Sequence, residues 1–350
     1  MSILAKFLTD AAIYSPEYGG GLSNHLPMAL VALDQMGATP AQLNEYRRSH
    51  VSWLEKLPAN GRAITPAVTP GAWPFRKANH AAYVELRADF QRRIAAQGWE
   101  QVLRATLPDL APGLTAAAFH SMIRTAMGVT ARHEGEIASG LGYWAAHWQG
   151  LGPVEAASPP PGGNPADLLN RLREDARFAA PVEMPELIDD MLLAVSRLKG
   201  FPDVGHWPDF DQVNIRDLAL AAAQVYGASG DFTALHLVTG AQAAAVLLPY
   251  VDSPKVLLPW LWQGMAAAYI AIGRPMLPSA DALAIWRNAT VPGWQEILQR
   301  ALVETDEHAV KLIYSALYLG RLTGDRLFRW LAARETGVLR STSKPAWRAA

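Results

Sequence analysis

Apolar side chains recur along this chain at intervals of three and four residues, which places them on one face of an α-helix. Alanine and leucine are abundant, whereas alternating runs rich in valine, isoleucine and threonine are scarce. This pattern predicts an all-α fold, a compact, bundle-like arrangement of many helices. The predicted helices span residues 24–36, 40–54, 80–97, 115–127, 132–148, 166–177, 185–198, 215–226, 232–248, 254–272, 280–288, 294–303, 306–319 and 325–334.

Two segments interrupt the helical pattern. Residues 57–79 carry four prolines and cannot form one continuous helix, and residues 151–165 read LGPVEAASPPPGGNP, the composition of an exposed linker. We therefore predict one domain over 1–350 with two helical halves, 1–150 and 166–335. The Pro/Gly-rich linker 151–165 joins them, and 336–350 form a loose tail.

Charge and composition exclude several classes of partner and cofactor. The formal net charge is −1 and no run of Lys and Arg occurs, so no nucleic-acid partner is expected. The absence of cysteine excludes disulfides, thiolate metal sites and iron–sulfur clusters, and it fits a cytoplasmic location. The most apolar stretch, 256–272, is interrupted by Pro259 and Gln263 and is predicted to be a buried helix rather than a membrane span.

Sequence motifs for the common enzyme sites are missing. The chain has no Gly-x-Gly-x-x-Gly, no phosphate-binding Gly-Lys-Ser/Thr loop and no Gly-x-Ser-x-Gly. It also lacks His-Glu-x-x-His and the Glu-x-x-His pairs of ferritin-like di-iron proteins. Any chemistry must therefore come from side chains that are distant in the sequence.

Four of the nine histidines lie in strongly apolar helical surroundings: His25, His120, His236 and His308. A buried imidazole needs a hydrogen-bond partner or a metal ion. Imidazoles from four helices that converge in the core would suit iron, zinc or copper. The alternative is that each of them is an ordinary core histidine with its hydrogen bonds satisfied.

Lys311 allows two interpretations. Glu307 lies four residues before it, the favourable order for a helical salt bridge at the surface. Lys311 also follows His308 by three residues, on the same helix face. Burial lowers the pKa of a lysine and makes its amine nucleophilic. A neutral amine can add carbon dioxide, and the resulting carbamate offers carboxylate-like oxygens to a metal.

Three further residues are candidates for catalysis. Arg124 follows His120 by one helical turn and could meet a phenolate or carboxylate of a substrate, or pair with Glu134 or Glu136. His133 and Glu134 are weaker acid–base candidates. Several tryptophans could form a wall for a flat aromatic ligand or simply pack between helices, namely Trp144, Trp148, Trp207, Trp260 and Trp262.

Four sequence blocks follow one another between Tyr18 and Leu319. They are YGGGLSNHLPMALVALDQMGATPAQL, FHSMIRTAMGV followed by EIASGLGYWA, ALHLVTGAQA, and DEHAVKLIYSAL. In this order they resemble the questin oxidase-like family. The resemblance implies oxidative opening of an anthraquinone-type ring in polyketide metabolism. It implies an aromatic small molecule and O2 as partners, with NADPH as a reductant in some members. Whether the protein forms a homodimer stays open.

The resemblance also implies a metal site. A member of the family resembles a mononuclear non-haem iron enzyme with four histidine ligands and a carboxylated lysine. Carried over block by block, the Fe(2+) ligands are His25, His120, His236 and His308, with Lys311 as the carboxylated residue. The chain departs from the fungal pattern in that Arg124 stands where many members carry a second histidine, which leaves the substrate open.

The sequence thus predicts a non-haem iron oxygenase that inserts oxygen into, or cleaves, a ring of an aromatic, quinone- or polyketide-like molecule. Two alternatives remain. One is a metal-free helical protein that binds apolar small molecules, and the other is a zinc hydrolase, because imidazole alone does not select iron.

Overall fold

The structure, a computed structural model, describes residues 2–57, 82–154, 162–178 and 184–337. Helices dominate these residues, which confirms the predicted all-α class. Their only strands are two short antiparallel ones, β1 (Glu17–Tyr18) and β2 (Leu22–Ser23), in which Glu17 pairs with Ser23. His80, nearly all of the proline-rich segment and most of the predicted tail lie outside the described residues.

The chain forms two compact units, which we call unit 1 and unit 2. Unit 1 contains Met1–Gly150 and Ala243–Leu257, and unit 2 contains Leu151–Gln242 and Leu258–Ala350. The first boundary falls where the predicted linker begins. The single domain predicted over the whole chain stays a prediction.

In chain order the helices of unit 1 up to Gly150 are α1 (Ile3–Ala11), α2 (Leu26–Gln35), α3 (Pro40–His50), α4 (Tyr83–Gln97), α5 (Trp99–Leu110), α6 (His120–Thr130) and α7 (Glu134–Ala146). They pack most extensively through α7, which lies against both α4 and α6. Glycines allow the α6–α7 approach, because a Cβ on Gly140 would lie 2.6 Å from the backbone of Thr125. The side chains of α6 and α7 therefore meet in a dense interior.

Unit 2 supplies the remaining helices. They are α8 (Pro165–Glu174), α9 (Ile188–Ser196), α10 (Ile215–Ser229), α11 (Phe232–Leu247), α12 (Leu258–Ala271), α13 (Ala280–Asn288), α14 (Trp294–Ala301), α15 (Glu307–Thr323) and α16 (Leu327–Glu335). The last residues of α11, from Ala243 on, belong to unit 1. Helix α15 packs along α16, and α12 packs against α8, α9 and α10.

Some helices are apolar on every side. Every residue of α2 from Leu26 to Leu33 is buried, and so are nearly all residues of α12, as predicted for that segment. One helical stretch of the described chain, Phe232–Tyr250, is long and apolar enough to cross a membrane, and 78% of its most apolar window is buried within the protein. Core helices of soluble proteins share this property.

Side chains cap several of the helix starts. Thr39 and Gln42 form a reciprocal capping box at α3, with Thr39 Oγ1 accepting from the Gln42 N–H at 3.3 Å. At α15 the cap is Asp306, whose carboxylate accepts from the N–H groups of His308 (2.8 Å) and Ala309 (3.2 Å). The carboxylate also suits the positive end of the helix dipole.

The prediction of a helix over 115–127 is wrong at its start. Helix α6 begins at His120, and the three residues before it, Ala117, Ala118 and Phe119, have φ of 50°, 55° and 67°. Left-handed backbone cannot continue into a right-handed helix, so the apolar pattern of 115–119 belongs to a buried turn. Helix α5 was also not predicted, and it contains Pro108 in its last turn.

Replacing Gly140 by alanine tests the close α6–α7 approach. We expect Gly140→Ala to lower the free energy of unfolding by about 1–3 kcal/mol, because the new methyl group meets backbone that cannot yield. Chemical denaturation followed by circular dichroism measures the change. Gly135→Ala is the matched control on α7, since its Cβ would meet only the His133 ring, at 3.3 Å. Equal stability of the two variants would contradict the tight crossing.

Candidate metal centre

Unit 1 brings two of the predicted ligands into direct contact. His25 is the residue that precedes α2, and His120 is the first residue of α6. Their rings stack with centroids 4.5 Å apart and planes inclined by 25°, and both side chains are buried. Imidazole nitrogens are common metal ligands, so this buried pair is a candidate for binding an ion.

Unit 2 holds the other two histidines around one phenyl ring. The rings of His236 and His308 are 5.6 Å apart, and Phe232 contacts both, at 5.0 Å and 4.6 Å. His236 lies one turn into α11 and is fully buried, whereas His308 lies in the first turn of α15 and is partly exposed. The carboxylate of Asp306 stands 3.7 Å from Nδ1 of His308.

Backbone carbonyls fix the tautomer of two of these histidines. Nδ1–H of His120 donates to the Ala117 oxygen at 2.7 Å, and Nδ1–H of His236 donates to the Phe232 oxygen at 2.8 Å. A carbonyl oxygen can only accept, so Nε2 carries the lone pair in each neutral ring. Metal-binding histidines commonly show this arrangement, in which the second ring nitrogen is tied to the backbone.

Lys311 is a buried amine with no hydrogen bond. Its side chain has no exposed surface, and among the described residues Nζ has no hydrogen-bond partner. Burial lowers the pKa of Lys311 to about 7, and the nearby carboxylates of Glu307 and Asp306 oppose this only in part. The predicted surface ion pair with Glu307 is therefore wrong, because the amine is inside the protein.

These observations fit a metal ion held by imidazoles and a carbamate. Each unit offers imidazole nitrogens, and the buried amine of Lys311 gives unit 2 a nucleophile whose pKa is lowered to about 7. Such a nitrogen either stays neutral or gains a partner, because a buried amine without hydrogen bonds is costly. A carbamate would convert it into an anionic oxygen ligand.

Arg124 is committed to a partner on the neighbouring helix. Its Nε donates to Glu136 Oε1 at 2.6 Å and its Nη2 to Oε2 at 3.1 Å, with both side chains buried. Burial alone would lower the pKa of Arg124, but the Glu136 carboxylate raises it above the ordinary value. The structure thus realises the predicted pairing with Glu136, and a catalytic role for Arg124 stays a prediction.

His133 caps α7. Its Nδ1 accepts from the Glu136 N–H at 3.0 Å, and its Nε2 lies 3.1 Å from Thr9 Oγ1. Glu134 is exposed in the first turn of the same helix. Both ring nitrogens of His133 therefore have structural contacts, and its catalytic role stays a prediction.

A second polar cluster in unit 1 was not predicted. The Glu17 carboxylate accepts from Tyr143 Oη at 3.1 Å and lies 3.0 Å from His147 Nε2, while Tyr143 Oη also contacts Ser23 Oγ at 2.8 Å. Burial and Glu17 raise the pKa of Tyr143 well above its usual range. The spacing of Tyr143 and His147, four residues apart where α7 ends, is the sequence signal that could have revealed the cluster.

The tryptophans proposed as an aromatic wall behave largely as core residues where their contacts are defined. Trp144 Nε1–H donates to the Gly113 oxygen at 2.9 Å, and Trp262 Nε1–H donates to the Val204 oxygen at 2.7 Å. Both side chains are fully buried. Helix packing accounts for these two rings without a ligand.

The fold and these buried donors define an all-α protein with a histidine-rich interior. A family model described as Questin oxidase-like matches residues 22–316, and the chain belongs to that family. The predicted resemblance to the family is thereby confirmed. The Baeyer-Villiger oxidase AgnL3 of Paecilomyces divaricatus is 26% identical over 132 residues, 35% of this chain and 29% of the relative. The match thus spans less than a third of that relative's length.

Stability should depend on pH through Lys311. In the folded protein the amine has a pKa near 7, and in the unfolded chain it has the ordinary value near 10.5. The burial penalty is therefore fully present below about pH 7 and falls by about 1.4 kcal/mol per pH unit above it. We expect metal-free Lys311→Met to melt above wild type at pH 7 and to lose this advantage towards pH 10.

Thermal melts across this pH range, in carbon dioxide-depleted buffer, measure the difference. Lys199→Met is the control, because Lys199 is exposed. A constant melting difference between Lys311→Met and wild type would show that the buried amine keeps its ordinary pKa.

Proposed function

We propose that this protein is an oxidoreductase, a non-haem iron oxygenase that acts on an aromatic, quinone- or polyketide-like small molecule. His25, His120, His236 and His308 would bind Fe(2+) together with Lys311 in its carboxylated form. His25 and His120 are in stacked contact in unit 1, and the rings of His236 and His308 are 5.6 Å apart in unit 2. Family membership over residues 22–316 supports the class of reaction.

The observation that carries the proposal is the buried amine of Lys311, one helical turn after His308, for which the described residues offer no hydrogen-bond partner. Core packing gives no reason to bury an ammonium group that makes no hydrogen bond, since an aliphatic side chain would fill the same space at lower cost. A pKa near 7 leaves much of the amine neutral and able to add carbon dioxide. The carbamate would be both an anion and an oxygen ligand, which suits a divalent ion.

The chain's own residues would hold and orient the ligand atoms. The carbonyls of Ala117 and Phe232 keep Nε2 of His120 and His236 deprotonated and available for binding. Phe232 shields His236 and His308 from water on one side. The Asp306 carboxylate near His308 would offset part of the positive charge of an ion.

Bound iron would supply the activation of dioxygen towards an electron-rich ring. Insertion of one oxygen atom releases the other as water and consumes two electrons and two protons. NADPH is the proposed source of these electrons when the substrate does not supply them. A nicotinamide site does not follow from the sequence, which lacks the dinucleotide motif.

The substrate proposal rests on the family and on one relative. The relative's name describes Baeyer–Villiger chemistry, the insertion of oxygen beside a carbonyl group, and we propose the same reaction class here. We further propose a cytoplasmic protein with no nucleic-acid or membrane partner, from its near-neutral charge and lack of cysteine. A homodimer remains compatible with these features.

Metal analysis separates the proposal from its rivals. We expect about one equivalent of iron in anaerobically purified protein, and loss of that iron in His236→Ala and in Lys311→Ala with the helical content retained. Elemental analysis and circular dichroism measure the two quantities. His50→Ala is the control, because the His50 ring bonds the Tyr46 carbonyl on α3 and is not a proposed ligand.

Zinc alone in the protein would favour a hydrolase, and no metal would favour a small-molecule binder. Iron retained in both ligand variants would refute the proposed site. The carbamate has its own signature, a 13C resonance in labelled bicarbonate that should vanish in Lys311→Ala.

Turnover gives a separate test. With a hydroxylated anthraquinone as the probe, we expect oxygen consumption that depends on iron and falls at least a hundredfold in His308→Ala. Labelled dioxygen should place one heavy oxygen in the product of a monooxygenase and two in that of a dioxygenase. Undiminished turnover by iron-free protein would contradict the proposal.

A further inference from the structure

The turn before α6 is the most unusual backbone segment in the described part of the chain. Ala117, Ala118 and Phe119 are consecutive residues with left-handed φ values of 50°, 55° and 67°. The other non-glycine residues with positive φ, Arg132 and Arg274, occur singly. A left-handed L-residue is disfavoured because its Cβ crowds the following carbonyl oxygen. Three in a row must therefore be held by their surroundings.

Burial and hydrogen bonds hold this turn in place. Phe119 is fully buried, and Ala117 and Ala118 are nearly so. The turn is also closed by hydrogen bonds, from the Phe119 N–H to the Thr115 oxygen at 3.2 Å and from Ser121 Oγ to the Ala116 oxygen at 3.2 Å. Strained backbone that is fixed in this way tends to occur at functional sites.

The turn bonds directly to the side chain of His120. Its geometry directs the Ala117 carbonyl back towards His120, where the oxygen accepts from the backbone N–H at 3.0 Å and from Nδ1–H at 2.7 Å. Two bonds to one oxygen fix both the position of His120 and the orientation of its ring. The ring then stacks against His25.

We infer that the left-handed turn Ala117–Phe119 is a positioning element that holds His120 in the Nδ1–H tautomer with Nε2 presented as a ligand atom. The inference rests on the proposed metal site for its functional meaning. The tautomer of His120 and the backbone strain of the turn do not depend on a bound metal. Glycine would adopt the same backbone without strain, but it would hold the carbonyl less firmly.

Ala118→Gly tests the inference, because it relieves strain at the centre of the turn without touching a polar group. We expect the melting temperature of the metal-free protein to rise by about 2 °C or more, while the dissociation constant for Fe2+, titrated anaerobically, rises about tenfold. A purely structural role would move stability and affinity together. Opposite movements are the signature of a strained positioning element.

Arg132→Gly is the matched control. Arg132 is also left-handed (φ 49°), lies in the same unit beyond the end of α6, and is exposed. We expect this variant to gain stability with unchanged affinity for Fe2+. An unchanged dissociation constant in Ala118→Gly, or a lower melting temperature, would overturn the inference.

Imidazole 15N spectra of the metal-free protein separate this inference from the metal proposal. We expect the His120 signals, assigned by comparison with His120→Gln, to report the Nδ1–H tautomer in wild type and a mixture in Ala118→Gly. If wild type binds no Fe2+, the proposed function fails, and these spectra still decide the positioning role. An Nε2–H tautomer in wild type would refute it.

Discussion

The rest of this structure depends on helices that are apolar on every side. Helix α2 buries eight consecutive residues and α12 buries nearly all of its length, so each must be covered all round by other helices. Polar groups in such an interior need partners, and helix starts and turns offer unused backbone donors and acceptors. His25, His120 and His308 all lie at helix starts, and His236 lies one turn into α11.

This placement has an electrostatic consequence. The positive end of a helix disfavours a bound cation, which therefore needs negative charge nearby. Asp306 already caps α15 beside His308, and a carbamate on Lys311 would add an anion inside the core. On α15, the cap and the proposed ligands thus belong to one electrostatic arrangement.

The sequence predicted the helices well because their periodic apolar faces and caps are local signals. The Thr39–Gln42 capping box and the start of α15 at Glu307 follow from neighbouring residues alone. The turn at Ala117–Phe119 could not be predicted, since alanine and phenylalanine favour right-handed backbone and only the surrounding packing imposes the left-handed form. The Glu17–Tyr143–His147 cluster escaped notice for a related reason, as it joins residues more than a hundred positions apart.

The candidate ligands were predicted by apolar surroundings together with family resemblance, and the burial of Lys311 now bears on the choice between the rival functions. A protein that only binds apolar molecules gains neither stability nor affinity from a buried amine that has no hydrogen-bond partner among the described residues. A zinc hydrolase needs three ligands and an open position, which imidazoles alone would provide. Neutral imidazoles alone would leave the charge of a divalent ion uncompensated in an apolar core. A carbamate at Lys311 would supply a negative charge that offsets it. The lysine, rather than the histidines, is therefore the residue that most sharply distinguishes the oxygenase proposal from its alternatives.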